Sequence, residues 1–249
     1  MKITALKLLL CLSLGFLVLS CGSSSNNDGD ESPDFSDLPF DALLDGSVSY
    51  AIITLDEYDG DFEAYVIINI IEDHESVTMS IDGTSVELFG FGGSYFGDAD
   101  LTPAQNLSLE LTVDGSSTTG SITLPDMLQT SFPSEFDFNS DFTISWSIED
   151  DPDYFVTQID IDYDDDPVFD INLLNGNQRS HTFSQSIYSG LSWDDVWEVD
   201  VGVTAMNSQI IDGIVFIGAF DRYKWYPDDE EEQFARIEER AMPFARHRH

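Results

Sequence analysis

Between Cys21 and Gln178 the chain has no lysine or arginine. Over 249 residues, 9 basic side chains stand against 48 acidic ones, for a net charge of -39. A field of that sign repels the phosphates of nucleic acid, so no nucleic-acid partner is expected. Cysteine is equally scarce. Cys11 and Cys21 are the only two, and the chain beyond them has no thiol for a disulfide or a thiolate metal site. Stability must therefore come from packed cores. No apolar run after residue 21 reaches membrane-spanning length; Ile210–Phe220 is broken by Asp212, Gly213 and Gly218. Histidines are few, and apart from His247 and His249 no two have metal-ligand spacing. His74 and His181 lie far apart, with no glycine-framed serine or cysteine to activate. This inventory points away from an enzyme. A carboxylate-pair hydrolase is the alternative class, because acids are too numerous for a list to single out a pair.

What is present begins at the N-terminus. Lys2 and Lys7 precede an apolar run, Leu8–Leu19, that ends in Val18-Leu19-Ser20-Cys21. Charge, short apolar stretch, small residue and cysteine stand in the order of a secretory signal, and the last four residues resemble the lipobox of bacterial lipoproteins. The resemblance implies that residues 1–20 are a signal peptide and that Cys21 carries the lipid, palmitate among its acyl chains. It also implies a cell-envelope address at a membrane. Gly22 follows the cysteine, where lipoproteins held at the inner membrane often have aspartate, so the outer membrane is favoured. Without Lys2 and Lys7, 7 basic against 48 acidic side chains give -41. Residues 21–44 read as the lipidated cysteine and an acidic flexible tether. The most polar part, Gly22–Asp37, would reach about 20–25 Å as a flexible coil.

From residue 45 the texture is short β-prone runs punctuated by turns. Phe62–Ile71 is a strand candidate. Ser76–Ile81 and Thr84–Phe89 flank Asp82-Gly83, a two-residue hairpin turn whose central positions need positive φ. Leu107–Val113 and Thr118–Leu124 flank Asp114-Gly115-Ser116-Ser117. In the former, Leu107, Leu109, Leu111 and Val113 alternate with Ser108, Glu110 and Thr112, so one face is buried. Residues 45–126 are expected to form one antiparallel β-sandwich.

Residues 127–227 are expected to form a second. Phe142–Trp146 is followed by Val156–Tyr163, by Leu191-Ser192-Trp193-Asp194-Asp195-Val196-Trp197, and by a run with Val199, Val201, Val203, Ala205 and Asn207. This order resembles a fibronectin type III domain. The resemblance implies an immunoglobulin-like sandwich with Trp146 as core tryptophan, Leu191 as corner leucine and Trp197 as corner aromatic. Trp193 stands where proline is usual, and Trp197 where tyrosine is. After Pro227, residues 228–249 read as a short helix with Phe234, Ile237 and Ala241 on one face, then a basic tail. The fold expected is thus all-β: two antiparallel sandwiches behind a signal and tether, with a short C-terminal helix.

Two stretches are candidates for binding. Asp160, Asp162 and Asp164 fall on one face of a strand opposite Ile159, Ile161 and Tyr163. Carboxylates in a row suit Ca²⁺, but the spacing is not that of an EF-hand: Asp165 stands where glycine is needed and Ile171 where an acid is. A charge run is more often a solvated face. No other cofactor is implied. In Phe89–Gly97 aromatics alternate with glycines. Phe91, Tyr95 and Phe96 could present rings to a sugar or peptide, or fill the core of a bent strand. Together these features suggest a non-catalytic, membrane-anchored module that binds or scaffolds an envelope protein or glycan. A lipoprotein that acts on or binds polysaccharide is the alternative.

Overall fold

The computed structural model describes residues 49–58, 61–70, 74–91, 94–163 and 167–227. Cys21, Asp164, the tether and the expected C-terminal helix lie outside the described residues. The chain is all-β. Its strands are β1 (Ser49–Tyr58), β2 (Asp61–Asn69), β3 (Val77–Ile81), β4 (Thr84–Val86), β5 (Phe89–Phe91), β6 (Ser94–Ala99), β7 (Asn106–Val113) and β8 (Ser116–Thr123). They continue with β9 (Gln129–Ser131), β10 (Phe142–Ser147), β11 (Tyr154–Tyr163), β12 (Val168–Asn175), β13 (Ser180–Phe183), β14 (Val196–Ile211) and β15 (Ile214–Pro227). A 3₁₀ turn, Gln185–Tyr188, is the only helical element among the described residues.

Each half builds a two-sheet sandwich. Residues 49–126 supply β4-β3-β7-β8 and the group β1-β2-β6-β5; residues 127–227 supply β13-β10-β9 and the group β12-β11-β14-β15. The two four-strand groups are not separate. β1 pairs in parallel with β15, from Ser49↔Ile214 to Asp56↔Asp221, so that they fuse into one eight-stranded sheet. The two expected domains therefore share a hydrogen-bonded sheet across the boundary at 126/127. This parallel pair departs from the all-antiparallel expectation. It is possible because β1 and β15 are distant in sequence and no tight turn constrains them.

Both small sheets lie on one face of the large one, and a single core runs between. Ile53, Val66, Phe155, Val201 and Phe220 from the large sheet meet Met79, Leu107, Leu111, Ile144, Trp146 and Phe183 from the small ones. The Trp146 ring packs tilted against that of Phe155, centroids 5.1 Å apart. The segment that joins the halves is part of this core: Leu124 and Leu128 are fully buried, with Phe136 and Phe138 close to it. Arg222 and Lys224 point inward, unlike the solvated cations usual in so acidic a chain. Arg222 Nε donates to the Leu128 carbonyl at 3.1 Å and Lys224 Nζ to that of Pro133 at 2.6 Å. With the Tyr226 hydroxyl, which also donates to the Pro133 carbonyl at 2.7 Å, they satisfy backbone acceptors of the crossing segment.

Asp-Gly turns set three hairpins. Asp82-Gly83, Asp114-Gly115 and Asp212-Gly213 all have positive φ at both positions, as a two-residue turn requires. The second turn is tighter than the expected four residues, since Ser116 already pairs with Val113. The third joins β14 to β15 and sits inside the interrupted apolar run.

Candidate functional site

Strand alternation gives the large sheet an outer face, away from both small sheets. Along β11, Phe155, Ile159 and Ile161 enter the core, which turns Asp160 and Asp162 outward. Pairing then builds a row across four strands. Asp160 lies opposite Phe169 of β12 on one side and Asp200 of β14 on the other, and Asp200 lies opposite Trp225 of β15. One step along, Asp162 faces Glu198. Glu198 is buried, and its Oε2 accepts from Trp225 Nε1 at 3.1 Å, which fixes the indole. Carboxylates bracketed by two aromatic rings stand on the paired strands, with Tyr223 lying over Gly202 in the next register. Such a surface can accept hydrogen bonds from hydroxyl or cationic groups and offer ring faces to apolar ones.

The aspartate row read from β11 is thus only half of the arrangement. Asp200, Glu198, Phe169 and Trp225 come from strands that pairing alone brings alongside; the alternation in Glu198-Val199-Asp200-Val201 was their one local signal. Among the described residues no three His, Cys, Asp or Glu side chains are grouped to hold a metal ion.

The aromatic stretch divides differently. Tyr95 packs against the inner core, whereas Phe96 faces outward. Neighbouring residues of a strand cannot share a face, so Tyr95 and Phe96 do not form one platform. Phe96 instead meets Phe89, ring centroids 5.4 Å apart, and Phe89 is 64% exposed. The Phe91 side chain lies outside the described residues. The corner also differs from expectation. Trp197 is 45% exposed because Val196 takes the inward position, beside a register shift at Asp162/Tyr163. The buried aromatic of this region is Tyr188, whose hydroxyl donates to the Ser140 carbonyl at 2.7 Å. Leu191 and Trp193 pack on the core from its edge.

Neither described histidine faces a nucleophile. His74 Nδ1 lies 3.0 Å from Asp114 Oδ2, and Asp114 Oδ1 accepts from the Glu75 and Ser76 amides. The His74 contact and then the Ser76 amide hold the Asp114 carboxyl below its usual range. His181 rests edge-on against Phe183 at 4.7 Å, and burial lowers its pKa. The most perturbed carboxyl is Asp221, on the outer face between Thr204 and Asp56. It is 2% exposed, and its Oδ1 has no hydrogen-bond partner. Burial pushes its pKa up to about 8; the Thr204 hydrogen bond opposes the shift and Asp56 adds to it.

No family model matches the chain, and no curated protein matches it. A comparison with solved structures aligns it with the fibronectin(III)-like modules of Clostridium thermocellum CbhA. The alignment has 9% identity and a TM-score of 0.23, and covers 71% of this chain and 90% of that one. A superposition so loose adds nothing to the geometry above.

Proposed function

We infer that this protein is a non-catalytic binding module of the bacterial cell envelope, tethered to the outer membrane through lipid on Cys21. Its second half is a fibronectin type III-like sandwich. Support for that half comes from three strands packed on four, the strand count of the immunoglobulin architecture, with Trp146 in the core and Leu191 against it. The observation that carries the binding reading is the row Phe169, Asp160, Asp200, Trp225 across four paired strands. Its chemistry suits an envelope glycan, whose hydroxyls donate to carboxylates while its ring faces stack on aromatics, or a cationic segment of an envelope protein.

Two experiments test this. The Cys21→Ala chain should leave the membrane pellet after a salt and carbonate wash, because multiple acyl chains are what makes such anchoring stable. Recovery in the pellet would refute the anchor. A glycan array and a set of cationic peptides, run with wild type and with Asp160→Asn/Asp200→Asn, should show binding that the double variant loses. Turnover of any polysaccharide, abolished by one carboxylate change, would instead make the protein an enzyme.

A further inference from the structure

The eight-stranded sheet ends in β5 on one side and β12 on the other. β5 is short, Phe89–Phe91, with a glycine at its centre. β12 is long and regular: it follows β11 without a bulge from Tyr154↔Asn175 to Ile161↔Val168, and among the described residues no strand pairs with its other side. Its sequence, Val168-Phe169-Asp170-Ile171-Asn172-Leu173-Leu174-Asn175, has no lysine or proline, and all eight residues are half-buried. Lysine, proline, bulges and short length are the devices that keep a sheet edge from pairing with another chain. β12 has none of them. β8, an edge strand of equal length, is mostly serine and threonine. β12 instead carries apolar side chains on both faces, with Val168 and Leu174 against the inner core and Ile171 and Leu173 against the outer cluster.

Backbone geometry and one carboxylate select the occupant. Unpaired N–H and C=O groups recur at every second residue of an edge, so two antiparallel edges bond only where residues of like parity oppose. For two copies of β12, three registers lie near its middle, with Asp170 opposite Asp170, Asn172 or Leu174 of the other copy. The first sets carboxylate against carboxylate, and the third sets a carboxylate against an alkyl chain. The second matches throughout. On the outer face Phe169 meets Leu173 of the other copy and Ile171 meets its own counterpart; on the inner face Val168 meets Leu174 and Asp170 meets Asn172. Asn172 Nδ2 already donates to Asp170 Oδ2 of its own strand at 2.7 Å, and the amide's second proton suits Asp170 across the seam. In side-chain chemistry the strand is a palindrome about Ile171, so one two-fold axis satisfies both copies alike. An unrelated peptide has no such reason to match.

We propose that β12 is a homodimer edge: residues 168–174 of two copies pair antiparallel about Ile171 and join both large sheets into one. Phe169, at the end of each carboxylate row, then lies beside Leu173 of the other copy, and the two outer faces form a continuous surface. A single strand pair is a small interface, below about 1,200 Å², so the dimer is weak and concentration-dependent. Its formation does not depend on what the row binds.

Cysteine crosslinking of the full chain in intact cells reads the register, with the wild type as background. Under mild oxidation Ile171→Cys should give a disulfide dimer, because directly opposite Cβ atoms lie about 4.5–5.5 Å apart, close to disulfide reach. Phe169→Cys and Leu173→Cys should each crosslink poorly alone, being about 13 Å out of step with themselves along the seam, and about tenfold better when co-expressed. A dimer no more abundant than background at 171, or one that forms equally well at 169 alone, overturns the proposal. So does a 171 crosslink to other proteins only. Sedimentation of the detergent-solubilised full chain reads the same dimer without an added cysteine. Ile171→Lys, which opposes two ammonium groups at the axis, should weaken it about tenfold while the urea transition stays cooperative. A monomer at every concentration up to about 100 µM, or an undiminished Ile171→Lys dimer, refutes β12 as the contact.

Discussion

Asp221 should make the protein less stable as pH rises, and the effect can be isolated with one isosteric change. Its carboxyl releases a proton near 3.8 in the unfolded chain but near 8 in the folded one. Between those values the unfolded state binds fewer protons, so unfolding free energy falls with increasing pH. The contribution is fully present below about pH 4 and is lost by about pH 8. About four units at about 1.4 kcal/mol each set a ceiling on the order of 5 kcal/mol. Relaxation of the sheet and entry of water around the new charge should reduce this to about 2–3 kcal/mol. In Asp221→Asn the side chain cannot ionise, and the introduced amide can donate toward Asp56, which lies opposite. Urea unfolding of wild type and Asp221→Asn, followed by tryptophan fluorescence from pH 4 to 8, reads the difference while the other acids cancel. The two should agree near pH 4, and the variant should gain steadily above it. Parallel curves, or a wild type that is more stable at pH 8, would refute the buried neutral carboxyl.

Trp146→Ala should cost about 3–5 kcal/mol in the same assay, enough to threaten a domain stable by about 5–15. Trp193→Ala, at the edge of the core, should cost clearly less; equal and small losses would mean that the core has been misplaced. Gly176→Ala should cost about 1–3 kcal/mol, because a Cβ there meets the Pro152 carbonyl oxygen of the backbone; an unchanged urea midpoint would refute the contact. The basic tail should be salt-sensitive. Arg240 and Arg246 follow a strand that ends beside Asp200 and Glu198, so trypsin should cut there faster in roughly 0.5 M salt, where screening is a few ångströms, than in low salt. One rate in both would leave the tail unattached to the acidic row.

Much of this was legible in local pattern. Alternation in Leu107–Val113 and around Ile159 and Ile161 marks strands and assigns their faces correctly, because the side-chain period of two follows directly from backbone geometry. Asp82-Gly83 announces its turn for the same reason. Illegible were features made by distant pairing. Nothing in Ser49–Tyr58 shows that it will lie beside Ile214–Asp221, and nothing in Asp160 shows that Asp200 and Trp225 will stand next to it. Trp197 shows the limit of motif reading: the spacing that matches a corner aromatic is shifted by one at Val196, and a one-residue slip turns a side chain to the other face.

The seam between β1 and β15 governs when the protein can fold. It joins residue 49 to residue 214, so the central pair of the eight-stranded sheet cannot form until nearly the whole chain is available. Contacts of such long range close late and make folding slow. The first strand waits for the last. A chain stalled with its end at residue 190 should therefore leave Ser49–Tyr58 open to protease, while the full chain protects it; protection in the stalled chain would show that the first half folds alone.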